Sequence, residues 1–366
     1  MKIKATGNEI RLHLTNVTGA GAVQLVGSLL PALLSNPKVT IKTIYLPDRG
    51  NLSNQIDSSS GSAYQIYERI LPNSISRFLE CTFFGHYFNG DTPMIVFGDL
   101  PIQCSSPQIL FLQNSLILKP LSFFLRRLSF KYIISQLIFH FGIRNVDAFI
   151  VQTKIMRDQL VKRYPRIKEK VFVVGNPVPT WLINNNSAKF KGRSSNLGKL
   201  KLFYPAASYK HKNHELLSKL DPEMDLPVSK LVLTIDPKDN PAPFLVWLVC
   251  EGFMEPKNII KTYSDVDAVL FMSLEESYGF PLLEAMYLGL PIVCSDLPYA
   301  RNLCGNEAIY FDPTNPNSLI EALHTLDSQL QTGWVPNWKE SISNVPANWD
   351  EVSKSFLEIS SSVLNK

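Results

Sequence analysis

The densest set of residues able to do chemistry runs from Ser273 to Met286, where Glu276 and Glu284 enclose seven residues that include Gly279 and Pro281. Gly279 permits a tight backbone turn, and Pro281 suits the start of a helix because its missing N–H would find no partner there. The pattern predicts a strand over Ala268 to Met272, a turn, and a helix reaching about Gly289. The N–H groups and dipole at such a helix start form an anion site. Two carboxylates beside it require a further ligand chemistry, and the hydroxyls of a sugar or ribose supply one. The plainer alternative is a solvated acidic turn in which Glu284 only favours the helix N-terminus.

Other clusters carry less. His211-x-x-His214 lacks the acidic residue and third ligand of a zinc site, so no metal site is expected there. Asp265-Val266-Asp267 spells a DxD metal motif but directly precedes a strand, where Asp267 more naturally caps or turns the chain. The loop Thr18 to Gln24 carries Gly19 and Gly21, yet Gln24 stands where a dinucleotide fingerprint needs its third glycine. Between Leu100 and Val146 there is no Asp or Glu, while Lys119, Arg126, Arg127, Lys131 and Arg144 supply positive charge. Pro120 can open a helix. Placed on a single helix, these five bases fall within one arc, interleaved with Phe123, Phe130, Ile134 and Leu137. That is what a helix lying on an anionic membrane presents, and equally what a core stretch with a few solvated bases presents.

The elements that must position these residues read as two α/β units. At roughly 150 residues per domain, 366 residues is a prior for two domains. Hydrophobic residues make up 45% and charged residues 19%, which argues against disorder. The net charge, 36 − 32 = +4, is too small to indicate a nucleic-acid partner. In the first half about six apolar runs read as strands: Ile10 to Leu14, Val39 to Tyr45, Met94 to Phe97, Gln108 to Leu112, Asp147 to Gln152 and Lys170 to Val174. Gly50 to Ser62 is Ser-rich and reads as a loop. Five further runs follow an Asn-, Ser- and Lys-rich linker: Leu200 to Tyr204, Leu231 to Ile235, Ala268 to Met272, Pro291 to Cys294 and Ile309 to Phe311. Alternation of such runs with helix-like stretches marks a parallel α/β architecture. Trp349 to Leu364 has the spacing of an amphipathic helix.

Five cysteines without a CxxC pair suggest neither disulfides nor zinc and fit a reducing compartment. Residues 1–9 lack the apolar core of a signal peptide, and the apolar stretch Tyr132 to Ile143 is shorter than the ~18 to 20 residues of a membrane span. A cytoplasmic protein, peripheral on the inner face of the plasma membrane, is expected.

Glu276 to Val293 resembles the donor-site signature of glycosyltransferase family 4, retaining enzymes of the GT-B fold, and the likeness continues through Ser295 to Arg301 and Cys304 to Pro313. Tyr204 to His214 resembles the family's phosphate-binding turn; Lys212 matches its Lys, Ala207 stands where many members carry Arg, and a branch reading His-Lys-Asn-His also lacks that Arg. The resemblance implies a GT-B fold: two facing Rossmann-like domains with the active site in the cleft between them. It divides the chain into an acceptor domain 1–176, a linker 177–198, a donor domain 199–345 and a helix 346–366 returning to the first domain.

The implied reaction moves a sugar from a GDP- or UDP-linked donor to a saccharide or lipid-linked acceptor in cell-surface polysaccharide synthesis, with no cofactor and no obligatory metal. Glu276 would hold the donor sugar, Glu284 the ribose and Lys212 the diphosphate, with Ser208 and His211 beside it. Gly279, Phe280, Pro281 and Leu282 would surround the phosphates, and Phe253 and Met254 the base. Gly19, Ala20 and Gly21 would floor the cleft, and Gln113 or Asn114 would replace a His that many members carry. A non-catalytic GT-B protein that binds a nucleotide sugar or a partner is the alternative; an NAD-dependent oxidoreductase is disfavoured by the absent third glycine.

Overall fold

The computed structural model describes residues 9–17, 19–47, 63–67, 73–119, 130–184 and 198–364. They form two compact units, Met1–Pro177 with Pro346–Lys366, and Val178–Val345.

The first unit is built on β1 (Glu9–His13), β2 (Thr40–Pro47), β3 (Ala63–Tyr67), β4 (Met94–Phe97), β5 (Gln108–Leu112), β6 (Ala148–Val151) and β7 (Val171–Val173). Its order is β3-β2-β1-β4-β5-β6-β7, every pair parallel. This corrects the expected six strands to seven. The added strand, β3, has only five residues and follows the Ser-rich segment, so no periodicity announces it. Strands β4, β5 and β6 are buried along their whole length, as continuous apolar runs in a parallel sheet must be.

Helices α1 (Ala20–Leu34), α2 (Asn73–Thr82), α3 (Phe130–Gly142) and α4 (Lys154–Arg163) belong to this unit. The carboxy-terminal helix Trp349–Leu364 buries Val352, Phe356, Leu357 and Ile359. Phe356 packs edge-on against Phe111 at 5.1 Å, and the Ser353 hydroxyl donates to the Ala32 carbonyl of α1 at 3.0 Å.

A single helix carrying all five bases of 119–144 is not what forms. Ser115–Leu118 is a 3₁₀ turn, Lys119 is extended, and Arg144 lies in the 3₁₀ turn Ile143–Asn145 that directly follows α3. The residue before a proline is pushed out of the helical region, which accounts for Lys119 before Pro120. Phe123, Arg126 and Arg127 lie outside the described residues, as does the segment 48–62.

The second unit holds β8 (Leu200–Tyr204), β9 (Val228–Leu233), β10 (Leu248–Cys250), β11 (Ala268–Phe271), β12 (Ile292–Ser295) and β13 (Ile309–Phe311). The order β10-β9-β8-β11-β12-β13 is again all parallel. Strand β10, three residues long, is the element the apolar pattern misses. Packing in this unit starts at Val178 and at Leu182 in the short α5 (Thr180–Ile183), both buried in its core; residues 185–197 are outside the described set. The remaining helices named below are α6 (Pro256–Asp265), α7 (Phe280–Leu288) and α8 (Pro298–Cys304).

The chain runs from β8 outward through β9 to β10, then returns to the other side of β8 for β11, so the order reverses between β8 and β11. A parallel sheet opens a crevice at such a point, beyond the carboxyl ends of its strands.

Candidate functional site

The loops that leave β8 and β11 meet at this reversal. Lys212 comes from the first and Glu276 from the second, and Nζ lies 2.5 Å from Oε1. The two side chains are only 15% and 12% exposed, so the pair is largely shielded from water. The loops are tied through their main chain: the His211 carbonyl accepts from the Leu274 N–H at 2.7 Å and from the Ser273 hydroxyl at 3.2 Å. Asn213 takes a left-handed conformation, φ +59°, which Asn tolerates better than most residues, and its side-chain amide donates to the Pro313 carbonyl at 2.9 Å.

Three tyrosines, Tyr204 and Tyr263 buried and Tyr299 partly so, fasten the site, and sequence reasoning singles out none of them. The Tyr204 hydroxyl donates to the Lys212 carbonyl at 2.8 Å, Tyr299 of α8 to the Ser273 carbonyl at 2.6 Å, and Tyr263 of α6 to Oε2 of Glu284 at 2.7 Å. Burial pushes all three phenols well above their usual range, and the negative charge of Glu276 adds to this for Tyr204 and Tyr299, so each remains a donor. The available signal is chemical: a buried tyrosine requires a partner for its hydroxyl, but the spacing of residues does not say which.

Gly279 precedes α7 with φ +95°, a conformation that strains any residue with a Cβ. Pro281 occupies the first turn. The N–H groups of Leu282 and Leu283 both return to the Gly279 carbonyl, at 3.0 and 3.3 Å, and the Leu282 side chain is fully buried. Among the described residues no acceptor lies against the N–H of Gly279 or Phe280, so the helix start offers an anion those two amides and not that of Leu282. Glu284 sits one turn further along α7, 4% exposed.

The other expected donor-side residues are more open. Ser208 is exposed, and the His211 ring stacks on Tyr209 with 5.6 Å between centroids. Burial, and then the Lys212 charge, lower the His211 pKa. His214 is buried against Tyr204, and the same two causes plus His211 lower it to about 4. Gly252 has φ +75° with open space around it, Phe253 is 86% exposed, and Met254 packs on the core. Asp267 stands at the start of β11, the opposite end of that strand from Glu276: its carboxylate accepts from the Lys201 N–H at 2.7 Å and its own N–H donates to the Lys201 carbonyl, which fixes the starts of β8 and β11. No cluster of three or more His, Cys, Asp or Glu able to hold a metal occurs among the described residues.

In the first unit the strand order reverses between β1 and β4. Gly19 caps α1 there, Ala20 opens that helix, and a Cβ at Gly19 or Gly21 would meet nothing within 4 Å. In the loop after β4, Asp99, unnoticed in the sequence, has φ +72° and accepts the backbone N–H groups of Gln113 and Asn114 at 2.6 and 2.9 Å. Burial raises the Asp99 pKa, with Arg77 and the two N–H donors opposing. The Asn114 side chain caps the following 3₁₀ turn through the Leu116 N–H, while the Gln113 amide nitrogen is buried without a partner. Of the two, Gln113 is the one whose side chain is left over.

With this geometry in place, the likenesses to known proteins are informative. Residues 250–329 match the family model described as glycosyl transferases group 1, a span that includes Glu276, Gly279 and Glu284. The chain is 21% identical over 280 residues to the O-antigen chain mannosyltransferase RfbU of Salmonella typhimurium, covering 70% of this chain and 72% of that protein. Among solved structures, sucrose-phosphate synthase from Thermosynechococcus elongatus superposes with a TM-score of 0.66 at 14% identity, over 96% of this chain and 98% of that one. The Anabaena protein HepE, solved with UDP and glucose, gives 0.61 at 13% identity, over 98% and 97%. At these identities the structures establish the fold, which is that of GT-B glycosyltransferases.

Proposed function

We propose that the protein is a retaining glycosyltransferase that moves a sugar from a nucleotide-sugar donor to a saccharide or lipid-linked saccharide during synthesis of a cell-surface polysaccharide. The observation that carries this reading is the Lys212–Glu276 pair at the strand-order reversal, next to a helix start with two open amides. The match to the group 1 family over 250–329 and the likeness to an O-antigen mannosyltransferase support glycosyl transfer. As the bond to the sugar breaks, the leaving nucleoside diphosphate gains negative charge, which Lys212 and the amides of Gly279 and Phe280 would stabilise. A diphosphate that takes over Lys212 would free Glu276 to accept from donor-sugar hydroxyls. Glu284 would take the ribose, and Phe253 and Met254 would lie by the base. In this reading the lysine and the helix start replace a divalent metal.

Within the same reading the acceptor is lipid-linked and the enzyme works on the cytoplasmic membrane face. On the exposed side of the first unit, Phe78 of α2 and Ile134, Leu137 and Phe141 of α3 line an apolar groove of about 380 Å³, and Phe141 is 64% exposed. The one acid on α2, Glu80, is buried, α3 has none, and Arg144 just beyond it is exposed. No helix among the described residues is long and apolar enough to cross a membrane.

A thermal-shift panel of UDP, GDP and their sugars, followed by donor consumption with a lipid-linked acceptor, tests the function. A ligand at 100 times its Kd adds about 2.7 kcal/mol of stability. The reading is lost if no nucleotide sugar shifts the melting temperature.

A further inference from the structure

We infer that Tyr263 is a positioning residue for Glu284 and, through that carboxylate, sets the preference for a ribonucleotide over a 2′-deoxyribonucleotide. This rests on the reading of Glu284 as the ribose-binding group.

Tyr263 lies on the inward side of α6, fully buried, with its ring edge-on to Phe203 of β8 at 5.1 Å. Packing alone would be met by Phe at this position. The added hydroxyl must be paired to be tolerated in such surroundings, and it is paired with Oε2 of Glu284 at 2.7 Å. Burial, and next the Glu284 charge, keep the proton on the phenol, so the tyrosine donates and the carboxylate accepts.

The consequence lies in direction. The terminal torsion of a glutamate is broad, and a free carboxylate samples a wide range of orientations. A charge-assisted hydrogen bond to Oε2 removes that freedom and fixes where Oε1 points. Neighbouring hydroxyls on a ribose are recognised well only by acceptors held in place, because a bound ligand otherwise has to meet the ordering cost. Tyr263 meets it in advance from a different element, 21 residues away in the chain.

The test is calorimetric: dissociation constants of UDP, GDP and their 2′-deoxy counterparts for wild type, Tyr263→Phe and Tyr299→Phe. The last is the control, since Tyr299 is also a phenol packed on the core of this unit, though only partly buried, and donates to the Ser273 carbonyl instead of Glu284. For the nucleotide that binds, wild type is expected to prefer the ribo form by about tenfold or more. Tyr263→Phe should bring that ratio to within about threefold of one, while Tyr299→Phe leaves it as in wild type. An unchanged ratio in Tyr263→Phe, or an equal fall in Tyr299→Phe, overturns the inference. So does a Tyr263→Phe protein that does not fold, because the hydroxyl would then serve the fold itself. If wild type does not distinguish the two sugars, or binds neither nucleotide, the assignment of Glu284 fails first and takes the inference with it.

Discussion

Lys212 and Glu276, 64 residues apart in the chain, hold each other as an ion pair with 2.5 Å between Nζ and Oε1. Desolvating two charges is costly, and removing one partner of such a pair leaves the other shielded from water without compensation. Lys212→Ala should therefore destabilise the protein by roughly 2–4 kcal/mol, and Lys212→Ala/Glu276→Ala by less than Lys212→Ala alone. A double-mutant cycle in urea measures this. Additive losses would mean the pair contributes nothing to the fold.

Glu276→Gln separates fold from turnover, because the amide keeps the shape and can still accept from Lys212. A carboxylate next to the donor sugar stabilises positive character that develops at the anomeric carbon, a benefit confined to the transition state. The variant leaves the Lys212 charge without its counter-charge, so it should lose some stability, though less than Lys212→Ala, and lower kcat more than it raises the donor KM. Near wild-type turnover would remove Glu276 from the chemistry.

Much of this site is legible in the sequence because its residues are local to one another. Gly279, Pro281 and Glu284 belong to a single turn and helix, so spacing alone places them at a helix start. Local spacing also shows the strands that are buried on both faces and the tail helix. What sequence does not show is long-range. The three tyrosines look like core residues until a hydroxyl finds Lys212, Glu284 or Ser273, and those partners are set by the strand order. The N–H of Leu282 turns back to the Gly279 carbonyl, a local bond that the spacing of residues does not announce. The five bases align only on one unbroken α-helix, and the chain departs from that at Lys119, which is extended, and after Gly142, where the helix tightens into a 3₁₀ turn.

Charge neutralisation by a lysine and a helix start leads to a clear expectation about metals. Activity should survive excess EDTA and collapse in Lys212→Ala. Loss of turnover on chelation, restored by manganese, would direct attention to Asp265 and Asp267 despite the structural bonds of Asp267 to Lys201.

His214 gives the fold a pH dependence of its own. Buried next to Lys212 and His211, it takes up a proton only near pH 4 when folded but near 6.5 when unfolded. Between these values the unfolded chain holds more protons, so stability rises with pH and is lost as pH falls from 6.5 toward 4. The whole window is worth roughly 3 kcal/mol. Urea midpoints across pH 4 to 7 should show this slope in wild type and a flatter one in His214→Gln. Parallel curves would mean other groups dominate the acid limb.

The groove between α2 and α3 gives the proposed membrane contact a sharper form than the charge pattern alone. Apolar side chains that remain exposed on a folded unit mark a surface that meets something apolar, and here the acids are buried or absent while Arg144 stands at the end of α3. Each Lys or Arg close to an anionic surface contributes about 1 kcal/mol, enough for reversible attachment when several act together with inserted Phe141. Co-sedimentation with vesicles containing phosphatidylglycerol should be strong at low salt and weak at high salt. Arg126→Glu/Arg127→Glu/Lys131→Glu should abolish the salt-sensitive part, whereas Leu137→Ser/Phe141→Ser should weaken binding at both salt concentrations. If wild type stays in the supernatant at low salt, or if both variants bind like wild type, this face does not meet the bilayer and a lipid-linked acceptor must reach the enzyme by another route.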